Sequence, residues 1–268
     1  MSERANPSRV VLVTGGTKGI GRGIAEAFLA AGDRVVVCAR QQPDALPSVG
    51  DARADFVACD VRDVDAIKAL MGSIVERHGA LDVLINNAGG SPSAEAATAS
   101  PRFHEGVLRL NLIAPLNIAQ AANAQMQRQA LGGVIVFIGS ISALRPSPLT
   151  AAYGAAKAGV LSLVGSLAVE WAPKVRVVAV SPGLVRTEQS HLHYGDDAGI
   201  AAVGATIPAG RMAEPADIGG ACVWVASPAA SYFSGSNLLL HGGGEKPAFL
   251  DAAKTTEPTA PKTGAAHG

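Results

Sequence analysis

The chain has 268 residues, of which 48% are hydrophobic and 16% charged, and its 22 basic residues balance 22 acidic ones. The apolar fraction excludes a disordered chain, and zero net charge argues against electrostatic binding to nucleic acid or to an anionic membrane. The length suits one large domain or two small ones.

Apolar runs that resemble strands alternate with helical patterns along most of the chain. The runs predict strands at Arg9–Thr14, Arg34–Ala39, Asp55–Cys59, Leu81–Ile85, Val134–Ile138, Val175–Val180 and Asn237–Leu240. Between them, helical patterns cover Ile20–Ala31, Val64–His78 and the regions 102–130, 151–172 and 214–226. Apolar strands that are each followed by a helix indicate an α/β fold with a doubly wound, Rossmann-like parallel sheet. We expect about seven strands with helices on both faces, and a ligand crevice beyond their carboxyl ends.

No internal linker or repeat divides this pattern, so we expect one domain over residues 8–250. The region 184–212 contains several glycines and histidines and suits a substrate lid. From Lys254 the chain reads KTTEPTAPKTGAAHG, which cannot bury much apolar surface. We therefore expect a disordered tail over 251–268.

The cysteines and the N-terminus bear on the compartment. Cys38, Cys59 and Cys222 are widely spaced and form no CxxC pair, which favours buried thiols in a reducing cytosol and no metal site. The polar N-terminus lacks a signal peptide, and the most apolar stretch, Ala158–Val169, is shorter than the roughly twenty residues that a membrane span needs. We expect a soluble cytoplasmic protein with neither membrane nor nucleic-acid partners.

A glycine-rich segment, Thr14–Gly21, lies between the first predicted strand and the first predicted helix. Gly15 and Gly19 would let the backbone approach a pyrophosphate closely, and Gly21 would permit tight packing of helix on strand. The helix N-terminus adds unpaired N–H groups and a partial positive charge. The alternative is an ordinary glycine-rich turn without a ligand.

The end of the second strand bears on the choice of nucleotide. NAD-binding proteins usually carry an acidic residue there, whereas this strand ends Cys38-Ala39-Arg40. Arg40, with Lys18 on the glycine loop, suits a 2′-phosphate through charge-assisted hydrogen bonds. NADP(H) is therefore favoured over NAD(H), unless both cations are solvated surface charges.

Tyr153 and Lys157 lie four residues apart in a helical pattern, so their side chains share one face. A nearby ammonium would lower the pKa of the phenol and let it exchange a proton with an alcohol. The pair alone is a weak signal, but Gly139–Ser142 and Asn86–Gly89 both follow buried strands. Their polar groups should emerge at the same edge of the sheet.

Together these residues resemble the ordinary-length branch of the short-chain dehydrogenase/reductase family over about residues 8–245. The family patterns TGxxxGIG and NNAG match Thr14–Gly21 and Asn86–Gly89, and YxxxK matches Tyr153 and Lys157. The further matches are Asn111, Ser140, Pro182, Gly183 and Thr187. One departure is His241-Gly242-Gly243-Gly244, where the family often has Asp-Gly-Gly.

The resemblance implies hydride transfer between a nicotinamide and a ketone or secondary alcohol. Ser140 would hold the substrate oxygen, Tyr153 would act as general acid or base, and Lys157 would bind the nicotinamide ribose and lower the pKa of the tyrosine. The implied cofactor contacts are Gly15, Thr17, Lys18, Gly19, Ile20, Arg40, Asp60, Val61, Asn87, Ala88, Gly89, Tyr153, Lys157, Pro182, Gly183, Val185 and Thr187. It also implies a homo-oligomer, a dimer or tetramer, joined through the helices near 102–130 and 151–172.

Asn111 would hold a water that links Lys157 to solvent. Pro115 lacks an N–H, so it cannot bond the Asn111 carbonyl four residues earlier, and that carbonyl could accept from a water. The alternative is an ordinary proline kink with a solvent-facing asparagine.

Two other functions stay open from the sequence. One is a double-bond reductase on the same fold, although relatives with that activity usually separate the tyrosine and lysine more widely. The other is a non-catalytic NADP-binding module that regulates a partner. His191 and His193 in the lid either contact substrate or are exposed without a role; their spacing and the lack of a third ligand argue against a metal.

Overall fold

The structure is a computed structural model and describes residues 8–252. The strands are β1 (Val10–Thr14), β2 (Arg34–Ala39), β3 (Ser48–Val49), β4 (Ala52–Arg53), β5 (Asp55–Ala58), β6 (Val83–Asn86), β7 (Gly133–Ile138), β8 (Val175–Pro182) and β9 (Asn237–Leu240). The helices are α1 (Gly19–Ala30), α2 (Val64–His78), α3 (Pro101–Leu108), α4 (Ala114–Met126), α5 (Ala151–Trp171), α6 (His191–Tyr194), α7 (Asp197–Ala205), α8 (Pro215–Val225) and α9 (Ala248–Ala252).

Seven parallel strands form one sheet in the order β5-β2-β1-β6-β7-β8-β9. The chain starts in the middle of the sheet, winds outward to β5, and then returns past β1 to build the other half. This order confirms the predicted doubly wound, Rossmann-like α/β fold. Strands β3 and β4, which the sequence pattern did not predict, form a separate antiparallel pair.

Alternate residues of each strand pack against the helices on opposite faces of the sheet. On β1, Leu12 belongs to a core shared with α2, α4 and α5, whereas Val11 and Val13 belong to a core shared with α1 and α8. All five residues of β1 are buried. Burial on both faces explains why the central strands are continuously apolar in sequence.

The predicted helix near 102–130 is divided into α3, a π-helical turn at Arg109–Ile113, and α4. Within this turn the Ala114 N–H donates to the Arg109 carbonyl, five residues earlier. Pro115 follows directly and has no N–H to donate to Asn111, which removes one bond of a regular helix. The irregularity therefore lies just before the proline that the sequence marked as a kink.

The region 184–212, where we expect a lid, contains α6 and α7 between irregular segments. Its two ends are joined by the bridge between Val185 and Ala213. The Ala209 N–H donates to the Gly242 carbonyl, so the triple-glycine segment after β9 packs on this region. Of the expected tail, residues 251 and 252 belong to α9, and 253–268 lie outside the described residues.

Helix α5 is 21 residues long and, by length and composition alone, could cross a membrane. A core helix of a globular protein passes the same test. Here α5 packs along β8 and buries seven residues, among them Val160, Val164 and Leu167. This packing accounts for part of its apolar character, whereas Val169 on the same helix is exposed.

Candidate active site

A cleft of about 730 Å³ opens at the carboxyl ends of the parallel strands. Every residue that the family resemblance assigns to the cofactor lines this cleft. Ser140 lines it too, whereas Asn111 lies fully buried behind it. The structure thus gathers residues from seven separate segments of the chain around one cavity.

The glycine loop forms one wall of the cleft. Gly15 and Gly19 have φ angles of +61° and +53°, a left-handed conformation that side chains rarely adopt. At Gly21, a methyl group would overlap the Gly15 carbonyl oxygen, so only glycine allows α1 to begin this close to β1. The bare backbone and the N-terminus of α1 provide N–H donors for a diphosphate.

Thr14 fastens the glycine loop to the segment that follows β6. Its hydroxyl accepts from the N–H groups of Asn87 and Ala88, both at 2.9 Å, and donates to the Ile85 carbonyl at 3.3 Å. The Asn87 amide donates back to the Thr14 carbonyl at 2.8 Å. These bonds fix Ala88 and Gly89 opposite the loop, which the sequence motif alone did not explain.

Three charged groups lie together at the nucleotide end of the cleft. Asp60 pairs with Arg62 at 2.6 Å, and hydrogen bonds from Arg62, partly opposed by burial, lower the pKa of the Asp60 carboxyl to about 2. The positive charge of Arg40 also lowers this pKa. Sequence reasoning missed Arg62, although its position just beyond the carboxyl end of β5 was a usable signal. Asp60 and the two arginines leave a net positive charge at this end.

Ser140 and Tyr153 are brought together between β7 and α5. Ser140 begins a short 3-10 turn at Ile141–Ala143, where its hydroxyl accepts from the Ser142 N–H at 3.1 Å. Burial raises the pKa of the Tyr153 phenol, and a hydrogen bond with Ser140 lowers it in part. The net shift is upward because burial of the phenol outweighs this bond, and the expectation that Lys157 lowers the pKa of Tyr153 stays a prediction.

Lys157 lies beneath the tyrosine. Its ammonium is 5.5 Å from the centre of the Tyr153 ring and donates to the Ile138 carbonyl at 2.7 Å. The side chain is only 4% exposed, and burial lowers the pKa of Lys157 to about 8. The lysine thus supports the site from below the ring and forms no hydrogen bond with the phenolic oxygen.

Asn111, in the π-helical turn, holds the backbone at Gly90. Its side-chain oxygen accepts from the Gly90 N–H at 2.8 Å, and its amide donates to the carbonyls of Gly90 and Val107, both at 2.9 Å. A methyl group on Gly89 would lie 2.7 Å from the Asn111 oxygen and 3.6 Å from the Lys157 ammonium nitrogen. The Asn111 side chain and the Lys157 ammonium therefore both lie close to Gly89, and Asn111 is buried and does not face solvent.

The substrate side of the cleft is formed by the segment after Ser140 and by the region 184–212. His193 and Tyr194 line the cavity, whereas His191 does not. Arg145 also lines it, and sequence reasoning gave this residue no role. Within residues 8–252, no group of three or more His, Cys, Asp or Glu side chains is arranged to hold a metal ion.

The cleft fits a nicotinamide dinucleotide on its own features. Bare glycine backbone faces the middle of the cavity, Arg40 and Arg62 lie at one end, and the Ser140–Tyr153–Lys157 group lies at the other. A dinucleotide would place its diphosphate on the helix N-terminus. The polar catalytic group would then face its nicotinamide end.

Comparisons with known proteins agree with this arrangement. The family described as Enoyl-(Acyl carrier protein) reductase matches residues 15–245. The 3-oxoacyl-[acyl-carrier-protein] reductase MabA of Mycobacterium bovis is 36% identical over 90% of this chain and 96% of its own length. L-rhamnose 1-dehydrogenase (NAD(P)(+)) of Azotobacter vinelandii is 33% identical over 88% of this chain and 96% of its own length.

Among solved structures, the ligand-free aldohexose dehydrogenase of Thermoplasma acidophilum superposes with a TM-score of 0.82 and 30% identity. The match covers 94% of this chain and 97% of that protein. The sequence matches cover 88–90% of this chain, and the structural match covers 94% of it. The protein therefore belongs to the short-chain dehydrogenase/reductase family and is an NAD(P)-dependent oxidoreductase that acts on CH–OH or C=O groups.

Proposed function

We propose that the protein transfers a hydride between NADP(H) and a ketone or secondary alcohol, with Tyr153 as general acid or base. The observation that carries this proposal is the contact of Tyr153 with Ser140 above the buried Lys157, inside the cleft that the glycine loop borders. A proton donor and an oxygen-binding hydroxyl thus lie side by side where a carbonyl group can reach both.

When bound, the dinucleotide supplies or accepts the hydride. In the direction of reduction, the Ser140 hydroxyl donates to the carbonyl oxygen of the substrate, and the Tyr153 phenol gives that oxygen a proton. In the direction of oxidation, the deprotonated form of Tyr153, a phenolate, accepts the proton of the alcohol. Lys157 supports the phenol from beneath its ring, and Asn111 fixes the Gly89–Gly90 segment against which Lys157 lies.

The preference for NADP(H) over NAD(H) rests on the charges at the nucleotide end. Arg40, Arg62 and Lys18 all line the cleft there, and Asp60 neutralises only one of them. Arginine forks suit the dianionic 2′-phosphate better than a ribose hydroxyl. We expect Arg40→Ala to weaken NADP+ binding by about tenfold, roughly one lost charge-assisted hydrogen bond, and to leave NAD+ binding nearly unchanged. Equal losses for both nucleotides would contradict the assignment.

The experiment that tests the catalytic assignment is Tyr153→Phe, with Tyr232→Phe as its matched control. Tyr232 is fully exposed and lies outside the cleft. The absorbance change at the nicotinamide band is followed with a panel of ketones and alcohols, and NADPH binding is followed by fluorescence. Tyr153→Phe should abolish turnover and leave NADPH binding nearly intact, whereas Tyr232→Phe should match the unmodified enzyme. A Tyr153→Phe variant with normal turnover would refute the proposal.

The match to the family described as Enoyl-(Acyl carrier protein) reductase favours a second candidate, reduction of a carbon–carbon double bond. The close spacing of Tyr153 and Lys157 and the Ser140 contact support the carbonyl reaction instead. The two candidate reactions are distinguished with crotonyl-CoA, which offers a carbon–carbon double bond, and acetoacetyl-CoA, which offers a ketone. NADPH oxidation with crotonyl-CoA and none with any carbonyl compound would favour the second candidate.

We also propose a homo-oligomer, either a dimer or a tetramer, joined through the helices near 102–130, which are α3 and α4, and through α5. Helix α5 leaves Val169 81% exposed, with Leu161 and Leu163 half-buried, although all three are apolar. The mass in solution is measured by light scattering coupled to size-exclusion chromatography, and a single species with the monomer mass would refute the proposal.

The cytoplasmic location stays a prediction, supported by the three free cysteines, all of them buried.

A further inference from the structure

Arg145 lies on the substrate side of the cleft, five residues beyond Ser140. The other arginines that line the cavity, Arg40 and Arg62, lie at the nucleotide end, and Lys157 is buried beneath Tyr153. Among the described residues, Arg145 is thus the guanidinium that a substrate would meet beside the catalytic group. Its side chain is about one-third exposed, at 32%.

The guanidinium of Arg145 is held in place by two contacts that use only some of its N–H donors. One terminal nitrogen pairs with Glu245 at 2.7 Å, and the other donates to the Pro146 carbonyl at 2.8 Å. The Nε–H is buried and has no hydrogen-bond partner in the described part of the chain. Each terminal nitrogen carries a second N–H beyond these bonds, and an arginine fork can give two parallel hydrogen bonds to one oxyanion.

Glu245 reaches Arg145 from a different part of the chain. It follows Gly242, Gly243 and Gly244, whose φ angles of +63°, +99° and +91° turn the segment after β9 back toward the cleft. Glu245 itself does not line the cavity. Burial raises the pKa of Tyr194, and the charges of Arg145 and Glu245 shift it down and up respectively, so this lid residue lies close to both.

The carboxylates that line the cavity lie elsewhere. Asp60 belongs to the nucleotide end, and an oxygen of Glu188 lies near Gly19 of the glycine loop. The charge that competes for Arg145 is therefore the one on Glu245. A substrate oxyanion would meet a positively charged, partly buried donor with spare N–H groups.

We infer that Arg145 selects carbonyl substrates that carry an oxyanion group, a carboxylate or a phosphate, and that Glu245 competes with this group. The inference rests on the proposed carbonyl reaction and names a substrate class for it. Arg145 binds the anion through the terminal N–H groups that the contacts with Glu245 and Pro146 leave free. The reacting carbonyl then lies toward Ser140 and Tyr153, which line the same cavity.

The test measures binding without turnover, by calorimetric titration of ketones into the enzyme saturated with NADP+. The oxidised cofactor cannot reduce a ketone, so a failure of the hydride-transfer proposal is read separately, in the Tyr153→Phe experiment. Two matched pairs are titrated: acetoacetate against its ethyl ester, and dihydroxyacetone phosphate against dihydroxyacetone. The pair in which the anion exceeds its neutral partner in affinity by the larger factor shows whether the site favours a carboxylate or a phosphate.

At least one anion should bind about 10- to 100-fold more tightly than its neutral partner, as expected for charge-assisted hydrogen bonds. Arg145→Met should abolish that preference, and Arg145→Lys should retain only part of it because lysine lacks the fork. Glu245→Gln should strengthen binding of the anion several-fold by removing the competing charge. The control is Arg128→Met, an exposed residue outside the cleft, which should behave as the unmodified enzyme.

Thermal unfolding of each variant checks that it folds, and Glu245→Gln keeps the test decisive if Arg145→Met does not. Absence of binding for both anions would overturn the inference. So would equal affinity within both pairs, or an anion preference that Arg145→Met and Arg145→Lys leave intact. Weaker binding of the anion to Glu245→Gln would also count against it.

Discussion

Lys157 is buried beneath Tyr153 in the active site, and burial of its ammonium lowers the free energy of unfolding by an amount that can be measured. Burial lowers the pKa of Lys157 from 10.5 to about 8. Between these two pH values the unfolded chain holds a proton that the folded chain has released. Because the folded state favours the neutral amine, the destabilisation is fully present below pH 8 and disappears as the pH rises toward 10.5. The shift corresponds to about 3 kcal/mol in the free energy of unfolding.

The perturbation is Lys157→Met, which removes the charge and keeps most of the apolar side chain. Urea unfolding is measured for both proteins from pH 7 to pH 10, without cofactor. The difference in unfolding free energy, unmodified minus variant, should rise by most of that amount over this range. Titration of other groups cancels in the difference, and loss of the bond to the Ile138 carbonyl adds a constant offset.

Lys68→Met serves as the control, since Lys68 lies on the surface of α2 with a side chain that is 70% exposed. Its difference from the unmodified protein should stay flat over the same pH range. Parallel pH curves for the unmodified protein and Lys157→Met would refute the reasoning. They would mean that the fold does not penalise the ammonium at this position.

Three further predictions follow from individual contacts. Gly21→Ala should lower the unfolding free energy by about 1–3 kcal/mol, because its methyl group would overlap the Gly15 carbonyl; urea unfolding measures this. Asn111→Ala should lower kcat about tenfold or more with a smaller effect on cofactor affinity, because the Gly89–Gly90 segment loses its bonds; steady-state kinetics and cofactor titration check this. Asp63→Ala should cost about 1 kcal/mol in urea unfolding, because its carboxylate caps two N–H groups of α2.

Each of these predictions has its own contradicting result. Gly72→Ala, in α2 with open space around it, should stabilise the protein by about 0.5–1 kcal/mol, so equal responses at the two glycines would contradict the steric argument. An Asn111→Ala variant with unchanged turnover would exclude a role for the residue in catalysis. Unchanged stability of Asp63→Ala would show that water replaces its cap.

The sequence predicted the sheet well because its central strands are buried on both faces. Val175–Pro182 and Gly133–Ile138 read as continuous apolar runs, and the bounds of all seven strands agree with the prediction to within two residues. The pair β3–β4 was missed because its strands are two residues long and exposed, with no alternation to detect. Helix α7 was missed for a related reason: only Gly204 of its nine residues is buried.

The site was predicted in position more accurately than in electrostatics. Motif spacing placed Tyr153 and Lys157 on one helix face, which the structure shows. It could not show how deeply each side chain is buried, and burial decides the direction in which the pKa of Tyr153 moves. Arg145 was missed because its importance depends on Glu245, a hundred residues away in sequence, which only the fold brings to it.

The π-helical turn at Arg109–Ile113 amounts to one residue more than an α-helix would use over the same length. Each residue of an α-helix rotates the chain by about 100°, so this surplus sets the phase between α3 and α4. Asn111 can point inward to Gly90 while Ile118 and Ala122 still pack against the sheet. A chain shortened by one residue here would have to give up one of these two orientations, so length at this point is as constrained as residue identity.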